Sequence, residues 1–182
     1  ASLNVTQLTL QDAATATATY SLTDSTSASP NGANITITLS TTDLNAIKFI
    51  SGLGKSAANS YLRLTSSAIS DSYGNTVTAI ADGSARQVTS YTADTTPPVL
   101  NSWVLNLNTH QLTLNFSEVV KASSFTASAF TLQNTAESPT VTYALTDSAT
   151  ASPNGTSIVV TFSTTDFNAL IDTAGICRQA DR

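Results

Sequence analysis

Apolar and polar residues alternate along most of the chain. In residues 111–117, Leu112, Leu114 and Phe116 occupy every second position, and polar residues lie between them. Side chains of a β-strand point alternately to opposite faces, so this period of two predicts strands with one buried face and one solvent face. The same criterion predicts strands at residues 15–22, 33–39, 61–65, 76–80, 86–92, 99–105, 111–117, 141–145 and 157–162.

Short polar segments separate these strands. Pro-Asn-Gly occurs at residues 30–32 and again at 153–155. Asn-Gly accepts the positive φ angles of tight hairpin turns, so both segments predict hairpins. Many short strands joined by such turns predict an all-β fold built from β-sandwiches.

Two segments break the alternation and predict one short helix in each half of the chain. Ser40 followed by Asp43 three positions later is typical of a helix start, because serine caps the free N–H groups and an acidic residue suits the first turn. Leu44 and Ile47 would then face the core. The matching residues of the second segment are Ser163, Asp166, Phe167 and Leu170.

The chain contains one long sequence twice. Residues 20–24 (Tyr-Ser-Leu-Thr-Asp) correspond to residues 143–147 (Tyr-Ala-Leu-Thr-Asp), 123 positions later. The other matching segments are 30–32 with 153–155, 40–43 with 163–166 and, at a separation of 122, 10–11 with 132–133. A period of this length is too long for a solenoid repeat and fits a whole domain.

The repeat predicts two domains, residues 1–94 and 95–182, with Pro97 and Pro98 in the linker. Tandem prolines favour an extended, stiff connection. Measured against the period, the first domain lacks its N-terminal strands and the second lacks its C-terminal strands. We expect an excerpt of a longer array rather than halves completed by strand donation from another chain, because both halves supply the same central part.

The composition is polar but carries few charges. Ser and Thr contribute 57 residues (25 Ser and 32 Thr), whereas only 10% of residues are charged, so solubility rests on hydroxyls and amides. The net charge of −5 predicts no nucleic-acid binding, because no basic patch is available for phosphates. No apolar run reaches the roughly 18 residues that a membrane span requires.

The lone cysteine and the scarce residue types say less about location. Cys177 has no partner for a disulfide within this sequence, which leaves open a partner elsewhere or an unpaired thiol. The absence of Met and the scarcity of Lys favour an extracellular surface protein.

Four sequons of the type Asn-x-Ser/Thr are present, at Asn4, Asn34, Asn115 and Asn154. If the protein is a eukaryotic secreted glycoprotein, we expect Asn34 and Asn115 to be usable acceptors, since each lies on the solvent face of a predicted strand. In a bacterial protein the sequons would carry no such meaning.

Three segments resemble a known family. They are Asp94-Thr-Thr-Pro-Pro-Val99, Leu112-Thr-Leu-Asn-Phe-Ser-Glu118 and Asp71-Ser-Tyr-Gly74-Asn75. In this order they are similar to the domain-start linker, second strand and turn of bacterial-type immunoglobulin-like tandem repeats in large surface, adhesin and filament proteins. The resemblance implies an extracellular β-sandwich that acts as a spacer or adhesive module. The helix and the 123-residue period depart from the usual immunoglobulin-like domain.

Carboxylates beside these segments suggest a calcium site. Asp71, Asp94 and Glu118 supply the oxygen ligands that Ca²⁺ prefers, and calcium at a domain junction would stiffen a rod. The alternative, which we favour, is that Asp71 forms its own turn, Asp94 caps a strand end and Glu118 is solvated. No cofactor other than calcium is indicated.

Catalytic chemistry is not expected. His110 is the only histidine and lies in a predicted hairpin turn, and no nucleophile elbow or metal-binding motif is present. Sugar sites use exposed aromatic platforms, but we expect Trp103 to lie in the core. A short threonine ladder at Thr15, Thr17 and Thr19 is too small for ice binding.

The sequence therefore predicts a structural segment of an extracellular rod or filament at the cell surface. Its partners would be neighbouring repeats of the same chain, together with self-assembly or surface partners. The alternative is an adhesin segment that binds a glycan or a protein.

Overall fold

The computed structural model describes residues 3–177 of the chain. These residues form two compact units, unit 1 up to Thr96 and unit 2 from Pro97 onward. The boundary lies inside the predicted linker, two residues beyond the predicted division. Residues 92–98 are exposed and adopt neither helix nor strand.

Unit 1 contains one antiparallel sheet of four short strands and one α-helix. The strands are β1 (Leu8–Gln11), β2 (Thr19–Ser21), β3 (Tyr61–Leu64) and β4 (Arg86–Gln87), and the helix is α1 (Thr41–Phe49). The strand order is β2-β1-β3-β4. β1 is therefore a central strand, and its residues Leu8 and Leu10 lie opposite Leu64 and Leu62 of β3.

The core of unit 1 is small. Leu8, Leu22, Ile47 and Leu53 are buried, and half-buried apolar side chains from β1, β3 and the segment before α1 pack around them. Leu53 is fully buried in the loop after α1. Burying one such side chain contributes about 1.5–3 kcal/mol.

Unit 2 contains two antiparallel sheets and one α-helix. The strands are β5 (Leu100–Asn106), β6 (Gln111–Val120), β7 (Thr131–Gln133), β8 (Thr142–Ala144), β9 (Ala149–Thr150) and β10 (Gly155–Thr161), and the helix is α2 (Thr164–Asp172). One sheet has the order β5-β6-β10-β9, and the other pairs β7 with β8. The core cluster draws buried side chains from both sheets and from α2.

The all-β prediction is confirmed. The regular structure of the described residues consists of three antiparallel sheets, two short α-helices and four single-turn 3-10 segments. The predicted strands at β3, β5, β6, β8 and β10 are confirmed to within three residues at each end.

Several predicted strands are wrong or shorter than expected. Residues 33–39 form only one isolated bridge, between Thr38 and Thr26, and residues 76–80 form only isolated bridges to Ser70 and Leu64. The strands predicted at residues 15–22 and 86–92 are shorter than expected and comprise only β2 (Thr19–Ser21) and β4 (Arg86–Gln87). Alternation was present in these segments, but their backbones find few ladder partners in unit 1.

Both helix starts are confirmed. The Ser40 hydroxyl accepts a hydrogen bond from the backbone N–H of Asp43, and Ser163 does the same for Asp166. Ile47 and its counterpart Leu170 are buried as predicted. Leu44 is a wrong prediction, since it is 38% exposed.

The counterpart of Leu44 in unit 2 is covered. Phe167 packs against the unit 2 core and stacks on the His110 ring, with the ring centroids 3.7 Å apart. His110 belongs to the β5–β6 hairpin, and unit 1 has no such hairpin among its described residues. Leu44 is therefore exposed because the element that covers this position is found only in unit 2.

Candidate functional site

The most distinctive side chain of unit 1 is a buried carboxylate. Asp43, in the first turn of α1, is completely buried. Its Oδ1 accepts hydrogen bonds from the Tyr20 hydroxyl (2.8 Å), the Thr23 N–H (2.9 Å) and the Thr23 hydroxyl (2.6 Å). Its Oδ2 accepts from the N–H groups of Asp24 (3.3 Å) and Ser25 (2.9 Å) and from the Ser25 hydroxyl (2.5 Å). We call these residues the Asp43 network.

The helix cap belongs to the same network. The Ser40 hydroxyl, which caps α1, donates to a carboxylate oxygen of Asp24, and the Ser40 N–H donates to the Ser25 hydroxyl at 3.1 Å. Hydrogen bonds among Ser40, Asp24, Ser25 and Asp43 therefore fix the loop after β2 to the start of α1.

Unit 2 reproduces the arrangement contact for contact. The fully buried Asp166 accepts from the Tyr143 hydroxyl (2.9 Å), the Thr146 hydroxyl (2.7 Å) and the Ser148 hydroxyl (2.5 Å). Backbone N–H groups of residues 146–148 complete it at 2.9–3.2 Å. We call this set the Asp166 network. Two sequence copies therefore converge on one local geometry.

The electrostatics of the two networks favour an ionised carboxylate. Burial raises the pKa of Asp43, but hydrogen bonds from Ser25, Thr23 and Tyr20 outweigh it and hold the pKa well below its usual value. The pKa of Asp166 is lowered for the same reasons. The N-terminus of the helix also stabilises negative charge. Because hydroxyl and N–H donors occupy both oxygens, each carboxylate serves as an internal anchor.

The sequence contained a signal for this anchor. Tyr20 and Asp43 are 23 positions apart, and so are Tyr143 and Asp166. The predicted helix starts at Asp43 and Asp166 did not include a contact with Tyr20 or Tyr143. Both motifs recur in the two copies, which marks them as constrained, but their equal separation follows from the repeat itself and does not show that they contact each other.

The proposed calcium ligands are each engaged by local groups. Asp71 accepts from the N–H groups of Tyr73 (2.9 Å) and Asn75 (2.8 Å) and from the Asn75 side-chain amide (2.8 Å). Asp94 forms an ion pair with Lys48 at 2.5 Å and accepts from the Thr96 N–H at 3.0 Å. The hydrogen bond from Lys48 is the main cause that lowers the pKa of Asp94 to about 2.

Glu118 lies on β6 of unit 2 and is half-buried. Within residues 3–177, the structure brings together no group of three or more His, Cys, Asp or Glu side chains that could hold a metal ion. Calcium binding therefore stays a prediction that this geometry does not support.

The four sequons lie in different environments. Asn4 and Asn34 are exposed, and Asn4 accepts from the Thr6 hydroxyl of its own sequon at 2.8 Å. Asn154 is exposed, and its carbonyl accepts from the Ala122 N–H at 3.0 Å. Asn115 is half-buried, and its amide nitrogen donates to Ser102 at 3.2 Å. The expected exposure is therefore found at Asn34, whereas Asn115 is half-buried.

The remaining candidate residues belong to unit 2. His110 lies in the β5–β6 turn with a φ of 55°, and it is exposed as expected for a loop histidine. Cys177 is half-buried against the unit 2 core, and burial raises the pKa of its thiol. Trp103 is a wrong prediction: we expected it in the core, but it is 52% exposed.

Thr15 and Thr17 precede β2 and form no strand, so the predicted threonine ladder is absent from that part of unit 1. Thr17 instead closes a turn by donating its N–H to Asp12 at 2.9 Å.

Comparison with protein-family models, with curated proteins and with solved structures finds no match to this chain. Among the helices of residues 3–177, none combines the length and the apolar character that a membrane-spanning segment requires.

Proposed function

We propose that the chain is a structural segment of an extracellular rod or filament, in which immunoglobulin-like β-sandwich domains repeat in tandem. The observation that carries the proposal is the duplication of the Asp43 network as the Asp166 network. The side chains that recur between the copies with the same geometry are buried anchors of the framework. A protein whose repeated feature is its own internal scaffold is suited to spacing and mechanical continuity.

The composition supports the same proposal. Hydroxyl-rich, weakly charged surfaces and β-sheets held by backbone hydrogen bonds suit a protein exposed to the medium. Neighbouring repeats are the proposed partners, through end-to-end continuation along the chain and through self-assembly.

Surface proteolysis of intact source cells tests the location. We expect peptides of this chain to be released without lysis, and the Asn34 peptide to carry a glycan if the source is eukaryotic. Recovery of the chain only after lysis would contradict the proposal.

X-ray scattering of proteins with increasing numbers of repeats tests the rod. We expect the maximum dimension to increase by a constant length for each added repeat. A dimension that grows only as a compact particle would contradict the rod.

A further inference from the structure

Unit 2 carries an open apolar groove along one edge of β7. The groove has a volume of about 550 Å³. It lies between β7 and the β5–β6 hairpin, and its apolar lining comes from Leu100, Trp103, Leu112, Leu114, Phe130 and Leu132. All of these residues belong to unit 2.

Trp103 shows that the groove is the open part of a core. Trp103 lies opposite Leu114 in the β5–β6 pair, so its side chain lies on the same sheet face as the buried Leu114. Leu114 is only 3% exposed, whereas Trp103 is 52% exposed. The inner face of the sheet is thus covered at Leu114 of β6 and at Leu105 of β5, and it is open at Trp103.

The edge of β7 is open at the same place. Within the described residues, β7 pairs with β8 alone, so the backbone groups of its other edge have no strand partner. An open strand edge beside an apolar groove is a template for the addition of a further strand.

Unit 1 shows which strand the repeat places there. β7 is the sequence counterpart of β1, at a separation of 122 (Leu10-Gln11 with Leu132-Gln133). β1 pairs with β2 on one side and with β3 on the other. β3 belongs to residues 60–94, and its Leu62 and Leu64 pack on the unit 1 core.

A glutamine provides a second and independent indication. Gln11 is fully buried, and its amide nitrogen donates to Ala13 O (2.8 Å), Ala14 O (3.0 Å) and Asp82 Oδ1 (3.0 Å). Its counterpart Gln133 is exposed and donates only to Ala136 O, at 3.3 Å. Two contacts of Gln11 have no counterpart at Gln133, and one of them, the hydrogen bond to Asp82, is supplied in unit 1 by segment 60–94.

We propose that this groove is a strand-acceptor site and that its occupant is a copy of segment 60–94 contributed by another repeat. The segment adds a strand to β7 in the register of β3 on β1. Leu64 then lies opposite Phe130, Leu62 lies opposite Leu132, and Asp82 reaches Gln133. The apolar side chains cover Trp103. The proposal rests on the duplicated sequence and does not depend on where the protein works.

A peptide of residues 60–94, added to the full chain, tests the proposal. Trp103 is the only tryptophan of the chain and the peptide contains none, so tryptophan fluorescence reports on the groove alone. We expect saturation at one peptide per chain, emission at shorter wavelength, and acrylamide quenching reduced by about half, because the half-exposed indole becomes enclosed.

Matched peptides separate strand addition from nonspecific adsorption. A peptide with Leu62→Asp and Leu64→Asp places charges on the inward face, and we expect no change in Trp103 emission. A peptide with Ser66→Asp, at an exposed position after β3, should bind as the unaltered peptide does. Equal binding by all three peptides would contradict the proposed register.

A fusion keeps the test decisive if the free peptide is too flexible to bind. Arg182 corresponds to Asn59, 123 positions earlier, so residues 60–94 appended directly after Arg182 retain the spacing of the repeat. Enclosure of Trp103 by the free peptide supports a segment supplied from a separate chain, and enclosure only in the fusion supports one supplied along the same chain. If Trp103 is unchanged in both experiments, the acceptor site is refuted.

Discussion

Residues 33–39 and β10 carry the same alternation and adopt different structures. Ile35, Ile37 and Leu39 of unit 1 correspond to Ile158, Val160 and Phe162 of unit 2. The unit 2 residues are 0–5% exposed and form a ladder with β6, whereas Leu39 is 38% exposed and its segment makes one isolated bridge. The difference is the β5–β6 hairpin, which among residues 3–177 is present in unit 2 and not in unit 1.

Among the described residues, the two units therefore contain different elements beside the sequence that they share. Unit 1 holds segment 60–94 and leaves a groove of about 430 Å³ beside Ile37 and Leu39, where unit 2 has its hairpin. Unit 2 holds the hairpin and leaves the groove at Trp103, where unit 1 has β3.

The largest expected effect tests the part that both units share. Asp43→Ala and Asp166→Ala each leave several buried hydrogen-bond donors without an acceptor. We expect each to lower the free energy of unfolding by about 3–5 kcal/mol. Hydrogen exchange should show the loss in unit 1 for Asp43→Ala and in unit 2 for Asp166→Ala. The control is Asp172→Ala, an exposed carboxylate in the last turn of α2. Comparable losses in both units for either variant would contradict two separate networks.

A second pair of variants tests the contact of the helix with the β5–β6 hairpin, in which the two units differ. We expect Phe167→Ala to cost about 2–3 kcal/mol, because it removes packing against the unit 2 core and the His110 stack. The matched change Leu44→Ala should cost less than about 1 kcal/mol, since Leu44 has no hairpin over it. Chemical denaturation of the two variants measures the difference. Equal costs would show that the hairpin does not cover Phe167 in solution.

Acid should weaken both units, and unit 1 more steeply. The folded pKa values of Asp43 and Asp166 lie below the unfolded values near 3.9, so their stabilisation is fully present above about pH 4 and is lost as the pH falls further. Unit 1 also has Asp12, whose pKa is lowered to about 2 chiefly by the Thr17 hydroxyl. Its counterpart Asn134 does not titrate.

Amide NMR signals followed between pH 5 and 2 measure this difference. We expect the unit 1 signals to be lost at a higher pH than those of unit 2. The reverse order would show that groups other than Asp12 govern acid unfolding.

The smallest expected effect is that of calcium removal. The carboxylates of Asp71 and Asp94 are engaged by their own turn and by Lys48, so we expect millimolar EDTA to leave the melting temperature of both units unchanged. Calorimetry with and without added Ca²⁺ measures this. A rise of several degrees with Ca²⁺ alone would establish a cation site and overturn our preference.

Local features of the fold could be predicted from the sequence, whereas features that depend on distant partners could not. The caps at Ser40 and Ser163 and the buried positions Ile47 and Leu170 depend on residues a few positions away. The exposure of the Trp103 side chain depends on whether a strand from a distant part of the chain covers it. The alternation of apolar and polar residues does not contain that information. The prediction that Leu44 faces the core was wrong for the same reason.

The Asp43 network was missed for another reason. Serine, threonine and aspartate are common at turns, so each motif has a sufficient local explanation. Recurrence marks both motifs as constrained, but the contact between them joins residues 18–23 positions apart, and the structure is what shows it.

The buried aspartate also sets an order of events during synthesis. Asp43 follows its partners by 18–23 positions, and loops of about this size close in well under a millisecond. The β1–β3 pair can form only after Leu64 has been made, because Leu64 pairs with Leu8, 56 positions earlier. Since a ribosome adds about 5–20 residues per second, the network can close about 1–4 seconds before β3 is made. Folding φ-values near 1 at Thr23 and near 0 at Leu62 would show that the whole chain keeps this order when it refolds, with the anchor formed first and the sheet later.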